Sequence, residues 1–146
     1  MEIHAMVVDD SGIMRKMVMR NLMETRLANF SFTEAADGLD AIKKLPEKPV
    51  DMMFVDWNMP NMTGIELVMH VRQNQKRHVP IVMVTTEGTM GKVEEALDKG
   101  GVDCYIVKPF TKDIMIQKLQ PLFERLNNAQ TIKPGGFFSK LAKLAS

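Results

Sequence analysis

Short apolar runs alternate with longer amphipathic stretches along most of the chain. The apolar runs are brief and almost uninterrupted, which is typical of strands covered on both faces of a parallel sheet. The predicted strands are Ile3–Val8, Ser31–Ala35, Met52–Val55, Ile81–Thr85 and Cys104–Val107, and the predicted helices are Ile13–Arg26, Leu39–Leu45, Gly64–Gln73, Met90–Lys99 and Lys112–Leu126. This alternation predicts an α/β fold with a doubly wound, five-stranded parallel sheet and helices on both faces.

Several predicted helices carry start and stop signals. Thr63 and Glu66 have the spacing of a capping box, and Gly100 with Gly101 is a typical helix stop. Pro121 lies inside the last predicted helix, where it removes a backbone hydrogen bond. We therefore expect that helix to bend or divide at Pro121.

The composition is that of a globular protein, because 45% of the 146 residues are hydrophobic and 25% are charged. No apolar stretch approaches the roughly 18 to 20 residues of a membrane span, and no basic region precedes the first apolar run. We expect a cytoplasmic protein without a membrane span. The formal net charge of +1, without a concentrated basic patch, argues against nucleic-acid binding.

Polar side chains gather where the predicted strands end. In open α/β sheets, ligands bind beyond the carboxyl ends of the strands. The residues at these ends are Asp9 and Asp10, Asp56, Thr85 with Thr86, and Lys108. If these strands are neighbours, three carboxylates, a hydroxyl and an ammonium group converge on one site.

Such a site has a defined chemistry. Clustered carboxylates repel one another unless a cation intervenes, and hard oxygen ligands favour Mg²⁺ or a similar ion such as Mn²⁺. One carboxylate could then attack phosphorus, while the metal and Lys108 offset the charge on the phosphoryl oxygens. Thr85 could donate a hydrogen bond to the same group.

Four motifs, in this order and spacing, resemble the receivers of two-component response regulators, and in particular stand-alone chemotaxis regulators of the CheY type. The motifs are Val7-Val8-Asp9-Asp10, Asp56-Trp57-Asn58-Met59-Pro60-Asn61-Met62 with Gly64, Met83-Val84-Thr85-Thr86-Glu87, and Tyr105-Ile106-Val107-Lys108-Pro109-Phe110. The resemblance covers about residues 3 to 126 and implies a flavodoxin-like sheet of order 2-1-3-4-5.

The resemblance also assigns roles to individual residues. Asp56 would accept the phosphoryl group, and Asp10 and Asp56 would bind Mg²⁺ (or Mn²⁺) with the backbone carbonyl of Asn58. Asp9 would act on the metal mainly through water. Thr85 and Lys108 would bind the phosphoryl group.

Three further residues would connect the site to the surface. Tyr105 would move inward when Thr85 is drawn toward the phosphate, and Asn58 and Glu87 would influence the lifetime of the phosphoryl group. Thr86 departs from the family pattern, since a smaller residue is common at this position. We expect Thr86 to reduce access to the phosphoryl group and the room for Tyr105.

The function implied is that of a switch. A sensor histidine kinase would phosphorylate Asp56, and the changed surface would bind a target such as a flagellar motor switch protein. A phosphatase could assist dephosphorylation, and the protein would catalyse only its own phosphorylation and dephosphorylation. A phosphorelay intermediate, which passes the phosphoryl group to a histidine phosphotransfer protein, is an alternative that the sequence barely separates. An aspartyl-phosphate phosphohydrolase is a distant alternative, because Asn58 stands where a second acid is expected.

The residues beyond the resemblance form a separate segment. We divide the chain into a receiver domain at 1–126 and a tail at 127–146, which contains three lysines and no acidic residue. Pro134-Gly135-Gly136 precedes apolar residues at helical spacing, which predicts a short amphipathic helix at 137–145. Three roles are open for it: a merely packing or mobile tail, docking on the domain's own signalling surface, and contact with a partner or membrane surface. The segment is too short for a helix-turn-helix unit.

Overall fold

The computed structural model describes residues 1–75 and 77–131, and it has the predicted α/β architecture. Five parallel strands form one sheet in the order β2-β1-β3-β4-β5. The strands are β1 (Glu2–Val8), β2 (Asn29–Ala35), β3 (Met52–Val55), β4 (Ile81–Thr85) and β5 (Cys104–Val107). The predicted strand order is therefore confirmed.

Helices follow the strands in regular alternation. They are α1 (Gly12–Thr25), α2 (Gly38–Lys44), α3 (Gly64–Asn74), α4 (Met90–Glu95) and α5 (Lys112–Thr131), and a π-helical turn at Ala96–Gly100 continues α4. The capping box predicted for α3 is present, because Thr63 and Glu66 each accept a hydrogen bond from the other's backbone N–H. Gly101, with φ of 63°, ends the π-helical turn in the left-handed conformation that glycine adopts without strain.

The sheet is covered on both faces. Along β1, Met6 and Val8 point into the core beneath α2, α3 and α4, whereas Ala5 and Val7 point into the core beneath α1 and α5. This alternation follows from the strand period of two. Because both faces are buried, the loops at the carboxyl edge of the sheet are the accessible place for polar chemistry.

Helix α5 is longer than predicted, and of the two outcomes expected at Pro121, a bend or a division, the division does not occur. The helix continues to Thr131 instead of ending at Leu126. Leu119, Leu122 and Phe123 are buried on both sides of the proline, so packing holds the helix together although proline donates no backbone hydrogen bond. Residues 132–146, with the helix predicted at 137–145, lie outside the described part of the chain. Among the helices of the described residues, none has the length and apolarity needed to cross a bilayer.

Candidate functional site

The backbone brings the polar residues predicted at the strand ends to one edge of the sheet. The hydrogen-bond ladder continues one residue past three strands: the N–H of Asp9 donates to Ala35, that of Asp56 to Val8, and that of Lys108 to Thr85. Since β1 and β3 are neighbours, Asp9 and Asp56 follow the paired residues Val8 and Val55. The convergence of strand ends expected from the sequence is present in the structure.

Three carboxylates form an acid pocket, which we define as Asp9, Asp10 and Asp56. One carboxylate oxygen from each lies within 4.8 Å of the others. Asp9 and Asp56 are buried, with 4% and 8% of their surfaces exposed, and Asp10 is exposed. Carboxylate oxygens that converge in this way are the donor set that Mg²⁺ and Mn²⁺ prefer, so the residues present fit a divalent cation.

Lys108 provides the positive charge of this site. Its ammonium nitrogen lies 2.8 Å from Asp9 Oδ2 and 3.7 Å from Asp56 Oδ1. The Lys108 side chain is only 11% exposed, so solvent screens these interactions poorly. A lysine at this position can neutralise part of the carboxylate charge and can meet an anionic group on Asp56.

Asp56 itself is an unusually placed carboxylate. Burial raises its pKa above the ordinary value of 3.8; Lys108 opposes this shift, while the charge of Asp9 adds to it. The Thr85 hydroxyl and the N–H of Trp57 also favour the ionised form of Asp56. The Trp57 N–H donates to Asp56 Oδ1 at 2.9 Å, which fixes one oxygen of the carboxylate.

Replacing Asp56 with asparagine is expected to stabilise the fold at neutral pH when divalent cations are absent. The pKa of Asp56 is raised by folding, so as the pH rises above 3.8 the unfolded chain ionises first. The stability that the protonated carboxyl contributes at low pH is therefore lost as the pH rises through the folded-state pKa. Urea unfolding in a chelating buffer should show equal stabilities at low pH and a more stable variant at neutral pH. The exposed Asp98 provides the control variant Asp98→Asn; an Asp56→Asn protein no more stable than this control would contradict the prediction.

A short chain of hydrogen bonds leads from the acid pocket toward α4. Thr85 is fully buried, and its hydroxyl oxygen accepts the N–H of Glu87 at 3.3 Å. The carbonyl of Glu87 in turn accepts the hydroxyl of Tyr105. Burial raises the pKa of Tyr105 to about 12, so this phenol remains a donor at neutral pH. Thr85, Glu87 and Tyr105 are thus connected through direct contacts.

Two other predicted site residues lie at the exposed side of the pocket. The Asn58 side chain donates to the carboxylate of Glu87 at 2.8 Å, which joins the loop after β3 to the loop after β4. Thr86 is exposed. The Tyr105 side chain is nevertheless buried, with 8% of its surface exposed, so in this conformation Thr86 leaves room for the ring.

Three supporting contacts were not predicted from the sequence. Arg15 donates to the backbone carbonyl of Asp9 at 2.6 Å, and it is also paired with Glu34 at 3.0 Å. The N–H of Ser11 donates to Asp9 Oδ1 at 2.8 Å. Lys92 of α4 lies 4.6 Å from the ring centre of the buried Trp57, next to Asp56. The bond from Ser11 to Asp9 is a local turn between residues two apart, whereas the contacts of Arg15 with Glu34 and of Lys92 with Trp57 join distant parts of the chain that only the fold brings together.

Gly64 allows the first turn of α3 to approach the backbone that carries Asp56. Its N–H donates to the carbonyl of Trp57 at 2.7 Å. A Cβ at this position would lie 2.1 Å from the carbonyl oxygen of Asp56 and 2.9 Å from Trp57 Cα. The approach is therefore possible only for a residue without a side chain.

The sequence of this chain is similar to those of known proteins from one family. The family model of the response regulator receiver domain matches residues 5–120 of the chain. The chemotaxis protein CheY of Pseudomonas aeruginosa is 38% identical over 123 residues, which cover 84% of this chain and 97% of that protein. A chemotaxis protein CheY homolog of Campylobacter jejuni is 45% identical over 117 residues, covering 79% of this chain and 88% of that protein.

Solved structures agree with the fold. The chemotaxis response regulator CheY4 of Vibrio cholerae has a TM-score of 0.72 at 35% identity, covering 84% of this chain and 99% of that chain. The receiver domain of the Francisella response regulator 1452 has a TM-score of 0.68 at 27% identity, covering 85% of this chain and 98% of that chain. The region matched by the family includes the acid pocket, Thr85, Tyr105 and Lys108.

Proposed function

The chain belongs to the response regulator receiver family, and we propose that it is a chemotaxis-type regulator that accepts a phosphoryl group on Asp56. Receivers of this kind are signalling regulators and not classical enzymes. One observation carries the proposal: a buried carboxylate lies close to two further carboxylates and to an ammonium group. Charge stabilisation of this type is what phosphoryl transfer requires of a protein.

The proposed transfer uses atoms that the fold holds in place. Because Trp57 fixes Asp56 Oδ1, we assign Oδ2 as the oxygen that forms a bond to phosphorus. The bond between phosphorus and the donor's leaving atom breaks, and that atom keeps the electron pair. Lys108, 3.7 Å from Asp56, and the Thr85 hydroxyl would stabilise the phosphoryl oxygens.

A divalent cation completes the proposed site. Asp9, Asp10 and Asp56, with the predicted carbonyl of Asn58, would hold Mg²⁺ or Mn²⁺, which supplies positive charge against the carboxylates and phosphoryl oxygens. Arg15 and Ser11 hold the Asp9 backbone and carboxylate, so they would maintain the orientation of this ligand.

The proposed switch is the chain of contacts from Thr85 to Tyr105. A phosphoryl group on Asp56 would accept a hydrogen bond from the Thr85 hydroxyl and draw this side chain toward it, away from the Glu87 N–H that now donates to the hydroxyl oxygen. Movement of Glu87 would then change the position of its carbonyl, to which the Tyr105 hydroxyl donates. Phosphorylation would in this way alter the loop between β4 and α4 together with Tyr105.

Replacing Tyr105 with phenylalanine is expected to separate the switch from the chemistry. The variant loses one partly buried hydrogen bond, which should lower the unfolding free energy by about 1 kcal/mol. It should still gain the phosphoryl group at the wild-type rate, because the Tyr105 hydroxyl donates to the Glu87 carbonyl and not to a carboxylate of the acid pocket. Hydrogen exchange with and without phosphorylation is the measurement. A phosphorylation-dependent change around Glu87 as large as in the wild type would contradict the role of Tyr105.

The proposed output is binding to another protein through the switch face, which we define as Met90, Val107 and Ile114 together with Tyr105. The first three side chains are apolar, are 76%, 41% and 39% exposed, and lie on α4, β5 and α5. An exposed apolar group of this kind is typical of a protein-binding surface. We propose a chemotaxis sensor histidine kinase as phosphoryl donor and a flagellar motor switch protein as target, in the cytoplasm.

The phosphohydrolase alternative receives no support from position 58. Asn58 has an amide that donates to Glu87, and it offers no carboxyl that could protonate a leaving group. The site therefore lacks the second acid that repeated turnover of phosphate esters would use at this position.

The proposed function is tested by phosphorylation with a small-molecule phosphoryl donor such as acetyl phosphate. Wild-type protein with Mg²⁺ should gain one acid-stable, base-labile phosphoryl group, and a chelator should suppress the reaction. Asp56→Asn should gain none, whereas the control Asp98→Asn should react like the wild type. Undiminished labelling of Asp56→Asn would refute the proposed function.

A further inference from the structure

An open groove lies at the amino edge of the sheet, far from the acid pocket. It has a volume of about 350 Å³ and is lined by Met1, Leu27, Gln120, Phe123, Glu124 and Asn127, which together we call the terminal groove. Met1 precedes β1 and Leu27 precedes β2, whereas Asp9 follows the opposite end of β1. The seven residues of β1 separate the two sites by roughly 23 Å.

The floor of the terminal groove is apolar and packed against the core. Phe123 is 4% exposed and packs edge to face on Phe30, with ring centres 5.8 Å apart. Phe30 in turn stacks on Phe32 at 5.7 Å. Leu27 and Met1 are partly buried against the same core. An added aromatic or leucine side chain would therefore extend an existing aromatic cluster, which is a favourable place for one or two large side chains.

The chain itself supplies a matching segment close to this groove. The described part of helix α5 reaches Thr131, about 6 Å along the helix axis beyond Asn127 and about 12 Å beyond Phe123. The linker 132–136 can span at most roughly 16 to 18 Å, which is enough to return to both residues. It contains Pro134-Gly135-Gly136, a sequence that favours a chain reversal. Phe137, Leu141 and Leu144 then recur at the spacing of one helix edge.

Charge allows one specific contact with this segment. Glu124 lies on the rim of the groove, and the other charged group among the lining residues is the amino group of Met1. Residues 132–146 contain Lys133, Lys140 and Lys143 and no acid. Lysines interleaved with the apolar edge could approach Glu124 while the apolar side chains enter the groove.

We propose that the segment 137–144 of the same chain docks in the terminal groove and covers Phe123, Leu27 and Met1. The docked segment fastens the last turns of α5 to the amino edge of the sheet. It leaves the acid pocket and the switch face uncovered, because both lie elsewhere on the domain. This placement differs from docking on the signalling surface, which the sequence alone also allowed.

Hydrogen exchange of the full-length chain tests the docking. A tail variant, in which Phe137→Ala and Phe138→Ala are combined, should exchange about three- to tenfold faster in the last turns of α5 and near residues 26–29. Ser139→Ala, on the side of the predicted helix opposite Phe137, is the matched control and should exchange like the wild type. Faster exchange confined to the switch face, or no difference anywhere, would overturn the proposal. The proposal would also be overturned if the protection of the groove from hydrogen exchange disappeared on dilution, because the docked segment would then belong to a second copy of the chain.

A double-mutant cycle gives an independent test of direct contact. Leu27→Ala and the tail variant are measured alone and together by urea unfolding of the full chain. If the segment covers Leu27, both substitutions remove the same contact. The combined variant should then raise the equilibrium constant for unfolding by a factor that is smaller, by about twofold or more, than the product of the two separate factors. Leu39→Ala, on an exposed leucine of α2, should combine multiplicatively with the tail variant. The proposed contact would be overturned if the effects of Leu27→Ala and the tail variant also multiplied.

Phosphorylation of Asp56 is not needed for either experiment, so the proposed function and the docking can fail separately.

Discussion

Replacing Lys108 with methionine is expected to slow phosphorylation of Asp56 by about 10²- to 10³-fold, the usual effect of removing a preorganised charge-stabilising donor. The Lys108 nitrogen is the positive group nearest to Asp56 in the described structure, at 3.7 Å. Methionine keeps most of the side-chain length but carries no charge. The rate with acetyl phosphate and saturating Mg²⁺, followed by mass spectrometry of the intact protein, measures the effect. Lys99→Met, on an exposed lysine, is the control.

The same substitution should destabilise the fold. Lys108 and Asp9 form an ion pair at 2.8 Å, and their side chains are only 11% and 5% exposed. Removing one partner of such a buried pair leaves the other charge without compensation, which costs about 3–5 kcal/mol. Urea unfolding in a chelating buffer should show a loss of this size.

Divalent-cation binding should change in the opposite direction. Lys108→Met removes a cation that competes for the charge of the acid pocket, so Mg²⁺ should bind more tightly. Asp10→Asn removes a proposed ligand and should weaken Mg²⁺ binding. Titration of the fluorescence of Trp57, which adjoins Asp56, can compare both variants with the wild type. Weaker Mg²⁺ binding by Lys108→Met would contradict the assigned role of this lysine.

Replacing Gly64 with alanine is expected to lower the unfolding free energy by about 2–4 kcal/mol and to slow phosphorylation. The new Cβ would lie 2.1 Å from the carbonyl oxygen of Asp56, and backbone atoms cannot yield as a flexible side chain would. Either α3 or the loop that carries Asp56 must therefore move. Thermal or urea unfolding measures the first effect, and the acetyl phosphate assay measures the second.

Gly91 provides a matched control for this prediction. A Cβ at Gly91 meets no atom within 4 Å, and the residue lies in α4. Gly91→Ala should be neutral or stabilise the protein by up to about 1 kcal/mol, since alanine favours helix and restricts the unfolded chain. Equal stabilities of the Gly64→Ala and Gly91→Ala proteins would contradict the steric argument.

The sheet could be predicted closely because burial on both faces leaves a simple pattern. The bounds of β3, β4 and β5 agree with the prediction, and only β1 and β2 begin earlier, at Glu2 and Asn29. These two residues pair with each other at the start of the strands. Their polar side chains lie outside the apolar runs, so hydrophobicity could not include them.

The end of α5 was less predictable. No glycine or proline lies between Leu126 and Pro134, so the sequence carries no signal that would stop the helix at Leu126. Pro121 acts as a breaker in an isolated helix, but the buried residues around it favour a continuous helix. Tertiary packing therefore overrides a local preference in this element.

The acid pocket was predictable and its supporting contacts were not. Parallel strands align their carboxyl ends, so Asp9, Asp56 and Lys108 could be placed at one edge of the sheet from their positions, and the strand order implied by the family resemblance made them neighbours. The contact of Arg15 with the Asp9 carbonyl and the bond from Asn58 to Glu87 depend on loop conformation. Their side chains are polar and partly exposed, and nothing in their spacing distinguishes them from other surface residues.

Trapping the acyl phosphate with borohydride tests the central claim most directly. Borohydride reduces an aspartyl phosphate to homoserine, so the modified residue can be located by fragmentation of the peptide in a mass spectrometer. Wild-type protein treated with acetyl phosphate and Mg²⁺ should contain homoserine at position 56 and at no other aspartate. Homoserine at position 9 or 10, or a stable phosphoryl group on a histidine, serine or threonine with position 56 unchanged, would contradict the assignment of Asp56 as the phosphoryl acceptor.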